Sequence, residues 1–128
     1  MSTTNKSSYS DLRNRTKELA ISVVRLVEGL PSTQTNTVLG RQLLRAATAV
    51  GANYRSACRS RSRADFVSKI TVVEEESDES AYWLELLHEL RLITDGQFEK
   101  LQKEASELTA IFVASSKTAK TNAKSGLY

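Results

Sequence analysis

The groups with most chemical potential in this chain are its charges, and they are segregated. Between Gly29 and Ala64 there is no Asp or Glu, yet Arg41, Arg45, Arg55, Arg59, Arg61 and Arg63 all fall there, whereas Glu74 to Glu89 holds seven carboxylates and no Lys or Arg. A guanidinium presents a planar fork of donors that matches phosphate or carboxylate oxygens in pairs, so such a run is suited to holding anions. The carboxylates do not converge on one point. Consecutive helical residues point in different directions, and Glu74 to Glu79 reads as a solvated or ion-paired face rather than as an acid/base pair.

Three further residues invite an enzymatic reading. Glu85 and His88 stand at the ExxH spacing that puts both side chains on one helical face, as in di-iron bundles, but such sites need a second ExxH and two more Glu. His88 is the single histidine, and the arginine-rich stretch contributes no carboxylate. Cys58, the single cysteine, could serve with His88 as nucleophile and base; on a helix flank it reads more simply as a small buried hydrophobe, and alone it forms no intrachain disulfide. No catalytic residue, cofactor or metal is expected, and the chain reads as a non-enzyme.

The elements that must position these groups are helices. In 128 residues, 40% of them hydrophobic, five Gly and one Pro are too few for a β-rich fold with many turns, so the expectation is one all-α domain. A net charge of +3 is mild, so a nucleic-acid argument rests on where charge sits. No apolar run reaches the length of a membrane span or a signal-peptide core, which predicts a cytoplasmic protein with no membrane partner.

Residues 1–7 are small and polar and are expected to be disordered, with the bundle over 8–119 and a basic flexible tail over 120–128. Ser8 and Asp11 resemble a capping box at the start of the first helix, whose Leu12, Leu19, Ala20, Val23, Val27 and Leu30 form one stripe before Pro31 stops it. The second helix begins between Thr33 and Thr37. At 3.6 residues per turn, Arg41, Arg45, Arg55 and Arg59 share one narrow stripe opposite Leu39, Leu43, Ala46, Val50, Tyr54 and Ala57. Gly40, Ala47, Gly51 and Cys58 line the flank between. A mid-helix Gly costs about 1 kcal/mol relative to Ala, so Gly40 and Gly51 predict a closely approaching neighbour.

Ser62 and Asp65 cap the third helix, which starts near Arg63 and buries Phe66, Ile70, Val73, Ala81, Leu84 and Leu87 with Ser77 and Ser80 as small polar fillers. Tyr82, Trp83 and Leu86 widen its apolar surface, which predicts a second contact with the first helix or another subunit. Thr94 and Gln97 cap the fourth helix, whose seam is Phe98, Leu101, Ala105, Leu108, Phe112, Ser115 and Ala119. Short connections make antiparallel neighbours, giving an up-down antiparallel four-helix bundle.

Leu44 to Arg55 (LRAATAVGANYR), Ser60 to Ile70 (SRSRADFVSKI) and Tyr82 to Leu87 (YWLELL) together resemble the four-helix-bundle proteins encoded in bacterial 23S rRNA intervening sequences. That superfamily also contains the accessory variability determinant of diversity-generating retroelements. The resemblance spans about residues 9–119, with Arg13 to Arg15 standing where an aromatic-containing turn is often found. It implies a barrel-shaped homopentamer with a basic surface, no known catalysis and, for the retroelement branch, association with a reverse transcriptase and its RNA.

Two functions follow as expectations. In the first, Arg41, Arg45, Arg55, Arg59, Arg61, Arg63 and Lys69 contact phosphates of RNA or DNA on an oligomeric scaffold. In the second, the same charges serve a protein-interaction module. A basic helix followed by an acidic one gives each subunit two complementary surfaces, so copies can meet head to tail and close a ring. Gly51, Tyr54, Tyr82, Trp83 and Leu86 are the expected subunit contact.

Overall fold

The computed structural model describes the backbone of residues 5–125 and the side chains of residues 11–121. Within them the chain forms α1 (Asn5–Glu28), α2 (Gln34–Cys58), α3 (Arg63–Glu89) and α4 (Asp95–Ser125). Each helix packs on its sequence neighbours and α4 returns to α1, the sparsest of the four seams. This is the four-helix bundle that the periodicity predicts.

Helix ends follow local chemistry. Thr33 caps α2 by accepting a hydrogen bond from the Asn36 amide at 3.0 Å, and the buried Asn36 side chain donates to the Pro31 carbonyl at 2.9 Å. Ser62 caps α3 by accepting from Asp65 N at 3.0 Å. Thr94 and Gln97 form a reciprocal capping box: Gln97 N donates to Thr94 Oγ1 at 3.0 Å and Thr94 N donates to Gln97 Oε1 at 2.8 Å. The end of α3 has no such signature in the sequence. There Arg91 takes a left-handed φ of 59°. Leu92 N donates to Leu87 O and Arg91 N to His88 O, both at 2.9 Å, which is a Schellman closure made without glycine.

Two boundaries differ from expectation. Helix α1 starts at Asn5, so Ser8 lies inside it rather than in front of it, and α4 continues to Ser125, beyond the boundary at residue 119. Of the segments expected to be disordered or flexible, residues 1–4 and 126–128 lie outside the described residues.

The core takes Leu19 and Val23 from α1, Leu43, Val50 and Tyr54 from α2, Ile70, Val73, Leu84 and Leu87 from α3, and Leu108 and Phe112 from α4. Tyr54 and Phe112 meet across it with ring centroids 5.4 Å apart. Thr16 and Leu26 of α1 are also buried, and on α4 the buried hydroxyl is Ser116 rather than the expected Ser115. The polar fillers are satisfied locally: Ser77 donates to the Ala105 carbonyl at 3.2 Å and accepts from Thr109 at 2.8 Å, and Ser80 donates to the Glu76 carbonyl at 2.9 Å.

Gly40 and Gly51 are where α1 comes closest. A Cβ on Gly40 would lie 2.9 Å from Val27 Cγ1, and one on Gly51 would lie 3.2 Å from Thr16 Oγ1. Gly96, in the first turn of α4, has nothing within 4 Å of that position. Thermal unfolding therefore distinguishes the two. Gly40→Ala should lose up to about 2 kcal/mol, because overpacking against the stiff Val27 costs about 1–3 kcal/mol and outweighs the gain in helix propensity. Gly96→Ala should gain a few tenths to about 1 kcal/mol.

Candidate functional site

Arg41, Arg45, Arg55 and Arg59 all lie exposed on the face of α2 opposite its buried Leu43, Ala46, Val50 and Tyr54, and Arg61 is exposed in the turn that follows. Their partners differ. Arg45 is held by the acidic stretch of α3: Nη1 donates to Glu76 at 3.3 Å and Nη2 to Glu79, whose Oε2 also accepts from Trp83 Nε1 at 3.0 Å. Arg45 was expected to bind nucleic acid; two carboxylates already occupy its guanidinium. Lys69 pairs with Asp65 at 3.1 Å one turn earlier, and Arg63, half-buried at the start of α3, is also engaged. Among the described residues, no carboxylate lies within 4.0 Å of Arg41, Arg55, Arg59 or Arg61.

The free cations continue onto α1. A groove of about 450 Å³ runs between α1 and α2, with Arg13, Asn14 and Lys17 on one wall and Thr48, Ala52 and Arg55 on the other. Arg13 and Lys17 are not among the site residues expected from the sequence. The Gly51 signal for a close neighbour identifies α1 as that neighbour only once packing is known. Arg15, on another face of α1, reaches α4 instead. It donates to Glu104 at 2.7 and 2.9 Å and to Glu107 at 3.0 Å, and the Glu104 hydrogen bond above all raises its pKa further.

The expected subunit contact divides. Tyr54 is 3% exposed and packed on Phe112, and Gly51 faces Thr16 of its own chain, so both act inside the monomer. The reason is antiparallel packing of α1 on α2, which covers that flank. Tyr82 is 54% exposed and meets Trp83 edge-on at 4.9 Å; Trp83 and Leu86 are half-buried, Val72 is exposed on the same helix and Leu90 at its C-cap.

The enzymatic candidates are apart. His88 Nε2 lies 2.7 Å from Asp95 and its ring stacks on Phe98 at 4.1 Å, while Glu85 accepts from Gln102 at 3.2 Å. Cys58 is exposed, not the buried hydrophobe expected, because it is the last residue of α2 at the end of the bundle. It sits by the start of α3 and His88 by its end, about 35 Å away at 1.5 Å per residue. Among the described residues no three metal-ligating side chains cluster, and no helix is long and apolar enough to cross a membrane.

Residues 10–114 match the family model described as 23S rRNA-intervening sequence protein. The chain belongs to that family. A solved relative, a protein of unknown function from the S23 ribosomal protein family of Bacteroides thetaiotaomicron, is 34% identical with a TM-score of 0.78, over 83% of this chain and 98% of the relative. No curated protein matches. This family assignment agrees with the resemblance carried by Leu44 to Arg55, Ser60 to Ile70 and Tyr82 to Leu87.

The hydrogen bond from Trp83, and then Arg45, hold the Glu79 carboxyl below the usual carboxylate range, against partial burial that acts the other way. A depressed folded pKa contributes stability that is present above the unfolded value and lost as pH falls through the folded one. Trp83 is the only tryptophan. Its fluorescence should therefore titrate with a midpoint below that of an ordinary glutamate, and Glu79→Gln should flatten the transition; an identical titration in that variant would assign it to another group.

Proposed function

We propose that this protein is a non-enzymatic oligomeric scaffold that holds nucleic acid, RNA or DNA, by its phosphate backbone. The observation that carries this reading is the set Arg41, Arg55, Arg59 and Arg61: exposed, aligned on α2 and its following turn, and without carboxylate partners among the described residues. Arginine contacts to phosphate position a strand without reading its bases. Repetition of this face around a ring would multiply a modest monomer charge.

The ring is part of the proposal. Arg45 satisfies part of the complementarity between α2 and α3 within the chain, while Glu75, Asp78, Glu85 and Glu89 remain exposed on α3 and can face basic groups of a neighbouring copy other than the arginines that hold the strand. Such a contact is heterologous and closes into a ring, a homopentamer by the family resemblance. Tyr82, Trp83 and Leu86 supply apolar area to it. The retroelement branch of the resemblance adds a partner to this reading, a reverse transcriptase with its RNA, in an assembly located in the cytoplasm. A second reading, a protein-interaction module, is favoured by the exposed Tyr82, Val72 and Leu90, which nucleic-acid binding leaves unused.

Salt separates the two. Replacing Arg41, Arg59 and Arg61 with Gln should leave helical content intact, because exposed arginines contribute less than about 1 kcal/mol each. The same change should lower the log–log salt slope of single-strand binding by about 2, at 0.7 per phosphate contact. Undiminished binding would assign the arginines to a protein partner. Mass in solution tests assembly: a monomer at micromolar concentration counts against the ring, and Trp83→Ala should shift an oligomer toward monomer while circular dichroism stays helical.

A further inference from the structure

We infer that the groove between α1 and α2 is a seat for phosphodiester groups of a nucleic-acid strand, held by Arg13, Lys17 and Arg55. The inference rests on the nucleic-acid reading and extends it to residues of α1 that lie outside the arginine stripe. Arg13 and Lys17 are four residues apart, which places them one above the other on the same face of α1, where like charges repel. Arg55 faces them from α2 across a floor made by Gly51 and Thr16. Three cations thus converge on one concavity. Among the described residues the lining contains no carboxylate to relieve them.

The contrast with the neighbouring seams gives this weight. Where α1 faces α4, Arg15 holds Glu104 and Glu107; where α2 faces α3, Arg45 holds Glu76 and Glu79. At the α1/α2 seam Arg13, Lys17 and Arg55 meet no counter-charge among the described residues, so an anion from outside is what completes it.

The lining also selects the class of anion. Its hydroxyls are turned inward: Thr48 donates to the Leu44 carbonyl at 2.7 Å and Thr16 to the Arg13 carbonyl at 3.1 Å. What remains for a ligand is cationic N–H groups and the Asn14 amide. Among the described residues no aromatic side chain lines the groove, so its described walls give bases no stacking platform. Recognition falls on phosphate oxygens, and the strand's sequence is not read. Free polyphosphate shares that chemistry, and the experiment separates it from a strand.

Ala52 is exposed on the groove wall and belongs neither to the core nor to the arginine stripe. Ala52→Glu places a carboxylate among the three cations, with Ala52→Gln as the control for size. Binding of labelled oligouridylate is measured by anisotropy across a KCl series, binding of tripolyphosphate by calorimetry, and helicity by circular dichroism. The expected result is that Arg13→Gln with Lys17→Gln lowers the log–log salt slope by about 1.4, two contacts at 0.7 each. Ala52→Glu should weaken oligouridylate binding at least about tenfold by setting like charges together, while Ala52→Gln binds as the parent does. If the groove variants bind oligouridylate like the parent while the Arg41, Arg59 and Arg61 variant loses it, the groove assignment is overturned and the arginine face stands. If neither set changes binding, both readings fall. If Ala52→Glu abolishes tripolyphosphate binding but leaves oligouridylate binding intact, the ligand is free polyphosphate and the strand assignment is overturned.

Discussion

The close approach of α1 to α2 at Gly40 and Gly51 is the constraint on which both the bundle and its basic groove depend. With side-chain atoms of Val27 and Thr16 within 2.9 and 3.2 Å of where a Cβ would stand, the helices have no room to separate or to slide without losing this fit. The same contact fixes the register that sets Arg13 and Lys17 across from Arg55. It also covers part of that flank of α2 within the chain, whereas Tyr82 and Val72 leave apolar surface exposed on α3.

Charge is sorted by seam rather than by helix. At the seam of α1 with α4, Arg15 bridges to Glu104 and Glu107; at the seam of α2 with α3, Arg45 bridges to Glu76 and Glu79. Exposed pairs of this kind contribute between nothing and about 1 kcal/mol, so their role is to align faces more than to stabilise the bundle. Burial of the apolar core does the latter. The Trp83 indole adds a donor to Glu79, which keeps that carboxylate charged and turned toward Arg45. The arginines that remain open are thereby set apart from those that serve the fold.

Most of the fold was legible because its signals are local. Thr33, Ser62 and the Thr94/Gln97 pair announce helix starts within four residues, and the three-four spacing of Leu43, Ala46, Val50, Tyr54 and Ala57 fixes a buried face without reference to its partner. What failed depended on relations between helices. Whether an arginine of α2 is free or paired is decided by the register of α2 against α3, which one helix's periodicity cannot contain; Arg45 and Arg41 are equivalent in sequence pattern and differ in partners. Gly51 signalled a close neighbour but not which one, and Tyr54 was assigned to a subunit contact although its ring packs on Phe112 of the same chain. Arg91 shows a different failure, a left-handed cap where glycine would have marked the turn.

Up-down topology then gathers most of the open cations of α1 and α2 at one end of the molecule, with Arg41 nearer the other. Arg55, Arg59 and Arg61 lie at the C-terminal end of α2 and the turn beyond it. The antiparallel α1 brings Arg13 and Lys17 to the same level. Helix α4 runs parallel to α2, as the approach of Ser116 to Thr71 near the start of α3 shows, so the exposed Lys117 and Lys120 arrive there too. Arg55, in the last turn of α2, and Arg59 at its C-cap are favoured by the negative end of that helix's dipole, which offsets part of their mutual repulsion. A bundle built this way gathers Arg13, Lys17, Arg55, Arg59 and Arg61 around one end of the α1/α2 seam, while Tyr82 and Val72 leave apolar surface exposed on α3.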